Sequence, residues 1–170
     1  LRGESLQEHL RRMGKVDLET ALEWSGQLLT AVHEIHQNRM FHLEINPANI
    51  FLEFGPNGGR YVVLMDYGVG HRVLPGKVAP AFSPHASKYI SPELITSPRT
   101  AGPRSDIYSI GVLIYEMLAG QVPYDGDTDY AVRNAIVSGE IKPLHEVAGH
   151  VPRSISQVIS QSMQRTLIAR

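Results

Sequence analysis

The chain has 170 residues, a formal net charge of −1 and no cysteine. The balanced charge gives no indication of a nucleic-acid partner, and the absence of thiols excludes disulfides and thiolate metal sites. No apolar run reaches the roughly 20 residues that span a bilayer, so we expect one cytoplasmic domain over residues 1–170 with no membrane segment. Because the chain opens at Leu1 and not at methionine, we expect it to be a segment of a longer protein.

The first part of the chain predicts two helices. Ser5 to Arg12 is a short helical pattern that Gly14 ends. Asp17 is a good N-cap for a long helix that runs to about Asn38. The apolar residues of that helix share one face at helical spacing: Leu18, Ala21, Leu22, Leu28, Leu29, Val32 and Ile35.

A hairpin and a long loop follow. Ile50 to Phe54 and Tyr61 to Met65 are strand-like runs, and the five residues Gly55-Pro56-Asn57-Gly58-Gly59 between them are typical of a turn. Val69 to Ser91 has no clear period and contains several prolines and glycines. Long loops of this kind in small domains are often functional.

The last part predicts three helices. Ser105 to Ala119 is apolar on nearly all sides, which is typical of a buried helix, and Gly120 is placed to end it. Two more helices are predicted near Thr128 to Ser138 and Ser154 to Arg165. The order of elements indicates a mostly helical α+β domain.

Four short motifs resemble those of eukaryotic-type protein kinases. The run from His42 to Leu52, with Asp66-Tyr67-Gly68 downstream, resembles the catalytic loop H-R-D-L-x-x-x-N and the D-F-G metal loop. Ser91-Pro92-Glu93 resembles A-P-E, and Ser105 to Gly111 resembles D-x-W-S-x-G. The run at 113–124 is similar to the bacterial serine/threonine branch. The resemblance covers essentially the whole chain and implies the C-terminal lobe: a helical bundle around a buried central helix, with a small β-hairpin.

Several catalytic positions of that family are altered. Glu44 stands where the resemblance implies an aspartate base, and its extra methylene displaces the carboxylate. Asn46 replaces the phosphate-clamping lysine, and Leu43 replaces an arginine that pairs with a phosphorylated loop. Ala86 replaces a threonine. These four changes predict a degenerate active site.

Two other positions match the kinase motifs, but the N-terminal motifs that bind the nucleotide are missing from the sequence. Asn49 and Asp66 correspond to the Mg²⁺ ligands. No glycine-rich loop and no lysine-bearing V-A-I-K strand occurs, and Leu1 to Leu6 resembles the segment just after the hinge between lobes. We therefore expect the N-terminal lobe to be absent, Asn49 and Asp66 to be relics, and ATP and Mg²⁺ not to be bound.

The resemblance implies structural roles for four residues. His42 is expected to act as a packing and hydrogen-bonding strut, and Asp106 as an anchor that accepts bonds from backbone N–H groups of the catalytic loop. Glu93 of the A-P-E-like motif is expected to form a buried ion pair with Arg170. No histidine spacing is convincing for a metal site.

The predicted function is therefore that of an inactive kinase-like module, a pseudokinase that acts as a scaffold or regulatory domain in signalling. Two alternatives stay open: an atypical serine/threonine kinase whose N-terminal lobe lies outside this sequence, and a nucleotide-sensing pseudokinase. Phe51, a relic of the adenine site, is expected to stack on Leu113 and Met117, and together with Leu6 to face water where the lobe is missing. We expect a protein partner, an adjacent domain or a second copy of the chain to cover that face.

Overall fold

The computed structural model describes residues 2–55, 58–66 and 86–170. This part of the chain is mostly helical, with one small antiparallel sheet. The helices are α1 (Leu6–Met13), α2 (Leu18–Gln37), α3 (Pro92–Thr96), α4 (Pro103–Ala119), α5 (Asp129–Ser138), α6 (Leu144–Val147) and α7 (Arg153–Ser162). The strands are β1 (Gly3–Ser5), β2 (Ile50–Phe54) and β3 (Arg60–Leu64).

The caps of the first two helices are those that the sequence predicts. The Ser5 hydroxyl accepts a bond from the Glu8 N–H at 3.2 Å, and the Glu8 carboxylate accepts from the Ser5 N–H at 2.8 Å. These two bonds form a capping box at the start of α1. Asp17 accepts from the Thr20 N–H at 3.0 Å and starts α2.

The predicted hairpin is part of a three-stranded sheet in the order β1-β2-β3. The sequence missed β1 because three residues are too few to show a period. Ile50 and Leu52 of β2 point into the core and are 1% and 0% exposed, whereas Phe51 between them is only partly buried. At the free edge of β3, the Val62 N–H donates to the Gln27 side chain of α2 at 2.8 Å.

Helix α4 is the centre of the core, as its all-round apolar sequence predicts. Most of its residues are buried, and Val112 and Leu118 are 0% exposed. Helix α7 approaches α4 closely at Gly111, where an added Cβ would lie 2.2 Å from the Ser162 hydroxyl. The helix ends at Gly120, whose φ of 74° is one that other residues rarely adopt.

Other predictions need correction or fall outside the described residues. Residues 69–85 of the predicted long loop are outside them. The part that follows is not irregular throughout, because a 3-10 helix at Ser87–Tyr89 precedes α3. Helices α3 and α6 are too short for their periodicity to be recognised. Helix α7 ends three residues before the predicted Arg165. None of the helices in the described ranges is long and apolar enough to cross a membrane.

Candidate active site

Asp106 fixes the start of the loop at residues 42–49. Its carboxylate is fully buried at the beginning of α4. One oxygen accepts the Leu43 N–H at 2.7 Å, and the other accepts the His42 N–H at 3.0 Å. The second oxygen also lies 2.8 Å from Nε2 of His36, near the end of α2. A single carboxylate therefore holds two loop amides and one imidazole.

The His42 side chain joins this loop to the end of β3. Its ring is fully buried, with Nε2 at 2.9 Å from the Met65 carbonyl oxygen. The Glu44 N–H donates to Nδ1 of the same ring at 3.3 Å. These two bonds fit a neutral imidazole with its proton on Nε2. His42 thus lies where a hydrogen-bonding strut is expected.

The next two residues of the loop are a buried leucine, Leu43, and a half-buried glutamate, Glu44. Leu43 has a φ of 60°, which is rare for a residue with a branched side chain, and that side chain is 6% exposed. The two bonds from Asp106 stabilise this conformation. The carboxylate of Glu44 is half-buried and has no hydrogen-bond partner in the part of the chain described.

The Asn46 and Asn49 side chains brace the loop from inside. Their Nδ2 groups donate to the Glu44 carbonyl oxygen, at 2.8 Å and 3.0 Å. The Asn46 Oδ1 also accepts the Ala48 N–H at 2.9 Å, so both ends of that amide are used. Asn46 is 3% exposed, and its two bonds stay within the loop. It positions Glu44.

Asn49 and Asp66 come together at the end of the β2–β3 ladder. Ile50 pairs with Leu64, and the Met65 N–H continues the ladder by donating to the Asn49 carbonyl oxygen at 2.8 Å. Asp66 follows directly with a φ of 58° and an exposed side chain. Because Nδ2 of Asn49 is used inside the loop, its Oδ1 is the remaining amide oxygen. Asn49 and Asp66 thus lie at the same end of the ladder, and the Asn49 amide bonds to the backbone carbonyl of Glu44.

A similarity to a known family covers this whole arrangement. Residues 1–170 match the family model of the protein kinase domain. The chain belongs to the protein kinase family. It is 31% identical to sperm motility kinase 2A of Mus musculus over 81% of its own length and 26% of that protein. It is 27% identical to serine/threonine-protein kinase PrkC of Bacillus subtilis over 92% of its length and 24% of that protein.

The chain is also 30% identical to sperm motility kinase 3A of Mus musculus, over 27% of that protein. It spans about a quarter of the length of each of these three relatives. Each of these matches covers most of the chain described here, between 81% and 92% of it. The similarity therefore supports the kinase assignment for the domain and not for any flanking region.

Family membership corrects two expectations. The expectation of an inactive pseudokinase is wrong, because the kinase domain is matched throughout and the relatives are named as kinases. The changes at Leu43, Asn46 and Ala86 do not remove the carboxylate of the catalytic loop, which Glu44 keeps. The expectation that no cofactor is used is wrong for the same reason, since kinase domains use ATP and Mg²⁺.

The ion pair expected between Glu93 and Arg170 is present. Nη1 of Arg170 lies 2.7 Å from Oε1 of Glu93, and Nη2 lies 2.7 Å from Oε2. Ser105 also donates to Glu93, at 2.6 Å. Burial alone raises the pKa of Glu93, but the bonds from Arg170 and Ser105 outweigh it and leave that pKa lowered. Ala86, at the altered threonine position, is buried just before the 3-10 helix.

The expected surroundings of Phe51 are corrected in part. Ile50 and Leu52, not Phe51, line a small apolar space together with Leu113 and Met117. The reason is the two-residue period of a strand, which sends Phe51 to the outward face. Leu6, which was expected to face water, lines the same inner space and is 2% exposed.

A second cleft, of about 410 Å³, adjoins the catalytic loop at Pro47. It contains Glu116, whose carboxylate accepts the Tyr89 hydroxyl at 2.6 Å. Burial raises the pKa of Glu116, and burial together with that carboxylate raises the pKa of Tyr89. The sequence reasoning missed Tyr89, Glu116 and His36, since each acts through a partner 27 or more residues away.

Proposed function

We propose that this chain is the C-terminal lobe of a serine/threonine protein kinase, which transfers a phosphoryl group from ATP to a hydroxyl of a protein substrate. The observation that carries the proposal is the arrangement at the catalytic loop. Glu44, a half-buried carboxylate without a hydrogen-bond partner among the described residues, shares a loop with Asn49, and the Asn49 carbonyl accepts a bond from Met65, the residue before Asp66. The chain matches the family model of the kinase domain over residues 1–170.

Glu44 is the general base in this proposal. Its carboxylate accepts the proton of the substrate hydroxyl as the oxygen attacks phosphorus. The longer side chain moves the carboxylate away from where an aspartate would hold it. The bonds from Asn46 and Asn49 to the Glu44 carbonyl, at 2.8 Å and 3.0 Å, restrict the backbone and so limit the positions that the carboxylate can reach.

The residues present fit a bound Mg²⁺ ion. Asn49 offers an amide oxygen and Asp66 a carboxylate, and hard oxygen ligands are those that this ion prefers. These two side chains would hold the metal, which neutralises phosphate charge when it is bound together with ATP. Among the described residues, no cluster of three or more histidine, aspartate or glutamate side chains suggests another metal site.

The outward face of the sheet is the proposed contact with the rest of the kinase. Phe51 faces outward between its neighbours in the register, Ser5 of β1 and Val63 of β3. Tyr61 on the same face of β3 is 51% exposed. We infer that an N-terminal lobe covers this apolar face and that Phe51 supports the nucleotide base. The greater length of the relatives supports this inference.

The cleft at Pro47 is the proposed site for the substrate polypeptide. It adjoins the catalytic loop directly and carries both acidic and basic groups, including Arg11, Lys88 and Glu116.

Because the reaction consumes ATP, we propose that the domain works in the cytoplasm.

The test is a transfer assay with the full-length gene product. The protein is incubated with labelled Mg·ATP and casein, and the label on serine and threonine is measured. We expect transfer by the parent and a loss of about 10²-fold or more in Glu44→Gln, with retention in the exposed control Glu34→Gln. A nucleotide affinity close to that of the parent would show that Glu44→Gln still folds. A parent that binds Mg·ATP but transfers no label would overturn the proposal.

A further inference from the structure

A histidine outside the catalytic loop completes the anchor of that loop. Nε2 of His36, in the last turn of α2, lies 2.8 Å from Oδ2 of Asp106, across 70 positions of the chain. The Asp106 side chain is 0% exposed and that of His36 is 17% exposed. A bond that is shielded from water in this way is stronger than the same bond at a surface. The pair therefore couples the end of α2 to the start of α4.

His36 supplies the only side-chain donor to Asp106 in the described part of the chain. The other two donors are backbone N–H groups, that of His42 at 3.0 Å from Oδ2 and that of Leu43 at 2.7 Å from Oδ1. Because a carboxylate oxygen only accepts hydrogen bonds, Nε2 of His36 carries a proton and donates. A buried carboxylate needs such donors to replace the water that it has lost.

The ring of His36 is itself held in place. It packs edge-on against Phe41, with 6.0 Å between the ring centres and 67° between the ring planes. The torsion that rotates an aspartate carboxylate has a broad minimum, so partners outside the residue decide its orientation. The bond from His36 therefore helps to fix the rotation at which Oδ1 of Asp106 meets the Leu43 N–H.

The orientation of Asp106 is important because of the backbone that this residue supports. Leu43 has a φ of 60°, and the bond from its N–H to Asp106 helps to hold it there. Glu44 follows directly, and its N–H donates to the His42 ring at 3.3 Å. A rotation of the Asp106 carboxylate would weaken the bond to Leu43 and let the backbone before Glu44 relax. A displacement of about 1 Å at a reacting group can cost about 10²-fold in rate.

We propose that His36 is a positioning residue of the kinase active site. Its Nε2–H fixes the Asp106 carboxylate and, through it, the backbone from which Glu44 extends. Among the described residues, His36 makes no hydrogen bond to Glu44, Asn49 or Asp66, so it acts through Asp106. The expected effect on transfer rests on the proposed function, whereas the expected effect on the loop does not.

The first measurement is the transfer rate of the full-length gene product with labelled Mg·ATP and casein. His36→Phe keeps a ring beside Phe41 but removes the donor, whereas His36→Gln keeps a donor. We expect kcat per nucleotide-binding site to fall about tenfold in His36→Phe, with KM for Mg·ATP within about twofold of the parent, and His36→Gln to recover most of kcat. The matched control is His33→Phe, which changes an exposed histidine one turn earlier in α2 and should leave kcat unchanged.

The second measurement follows the loop and needs no activity. Protein that carries ¹³C-carbonyl histidine and ¹⁵N-leucine gives a selected amide signal for each His-Leu pair, and residues 1–170 contain two such pairs, His9-Leu10 and His42-Leu43. In His36→Phe we expect the Leu43 amide to shift and to exchange with solvent about tenfold faster, because its acceptor is no longer fixed. The Leu10 amide, inside α1, should stay unchanged and so show that the variant is folded. In the parent, ¹⁵N-histidine spectra should show a slowly exchanging imidazole N–H that His36→Gln removes.

The outcomes separate this inference from the proposed function. A parent that transfers no label contradicts the proposed function, and the Leu43 amide then still tests the role of His36. Three results would each overturn the inference: an unchanged Leu43 amide in folded His36→Phe, an unchanged kcat in that variant of an active parent, or an equal loss of kcat in His36→Gln. If His36→Phe does not fold, the spectrum of the parent decides, since a protected imidazole N–H of His36 supports the inference and its absence overturns it.

Discussion

Glu93 and Arg170 form a bidentate, buried ion pair between positions 77 residues apart in the chain. The side chains are 6% and 0% exposed. The guanidinium also lies over the ring of Tyr108, 4.9 Å from its centre, and donates to the backbone carbonyls of Gln164 and Arg165. The pair therefore ties the start of α3 to the last turn of the described chain, beside the buried helix α4.

The first prediction follows from this pair. Removal of one partner leaves a buried charge without compensation, so Glu93→Ala should lower the free energy of unfolding by about 3–5 kcal/mol. Urea denaturation of the parent and the variant measures the difference. The double variant Glu93→Ala with Arg170→Met should lose less than the sum of the losses in Glu93→Ala and Arg170→Met, because it leaves neither charge alone. An unchanged midpoint in Glu93→Ala would contradict the prediction.

The second prediction compares two glycines inside helices. An alanine at Gly111 would bring Cβ to 2.2 Å from the Ser162 hydroxyl and 2.8 Å from Cγ of Met163, so α4 and α7 must separate. We expect Gly111→Ala to be destabilised by about 1–3 kcal/mol. Gly26 in α2 has no atom within 4 Å of an added Cβ, and Gly26→Ala should be stabilised by roughly 0.5–1 kcal/mol. Melting temperatures that shift in the same direction in Gly111→Ala and Gly26→Ala would contradict this explanation.

The third prediction concerns acid pH. The pKa of Glu4 falls from 4.5 to about 2 in the folded chain, chiefly because of Arg60 and His9. A carboxyl group with a lowered pKa stabilises the fold above its unfolded pKa, and the contribution is lost as pH falls through the folded value. Glu4→Gln should therefore melt below the parent at pH 7. The difference should shrink below about pH 4.5 and disappear near pH 2. Glu34→Gln, an exposed control, should follow the parent, and a pH-independent difference for Glu4→Gln would exclude this linkage.

The fourth prediction concerns the anchor of the catalytic loop. The Asp106 carboxylate accepts two backbone N–H groups and lies next to His36. In Asp106→Asn, the new NH₂ group cannot accept a hydrogen bond, so one of these donors loses its acceptor. We expect a loss of about 2–4 kcal/mol in urea denaturation, because bonds to charged groups are stronger than neutral ones. In the full-length protein, transfer should also fall, since Leu43 and Glu44 lose their support. The exposed control Asp127→Asn should leave both measurements unchanged. Full stability of Asp106→Asn would contradict the assigned role.

Local sequence determined a large part of this structure. Three kinds of feature follow from residue types within a few positions of one another: the caps at Ser5 and Asp17, the paired strands Ile50–Phe54 and Arg60–Leu64, and the buried helix that ends at Gly120. The order of the four kinase motifs likewise pointed to the family that the whole chain matches. These features are readable because caps, turns and periods depend on neighbours in the chain.

The chemistry of the altered loop could not be obtained by counting substitutions. Asn46 is different from the family lysine, but the structure shows an amide that supports the Glu44 carbonyl at 2.8 Å, which no residue list describes. The β2–β3 ladder places Asn49 next to Met65, the residue before Asp66, and the Asp106 anchor fixes the backbone before Glu44.

Tertiary structure alone decided the contacts between distant residues. Asp106 meets His36 across 70 positions, and Arg60 meets Glu4 across 56. No local pattern predicts which of many histidines and arginines will lie next to a given carboxylate, since that depends on how helices and strands pack. The motifs therefore located the loop at residues 42–49, whereas packing determined which charged side chains stabilise it.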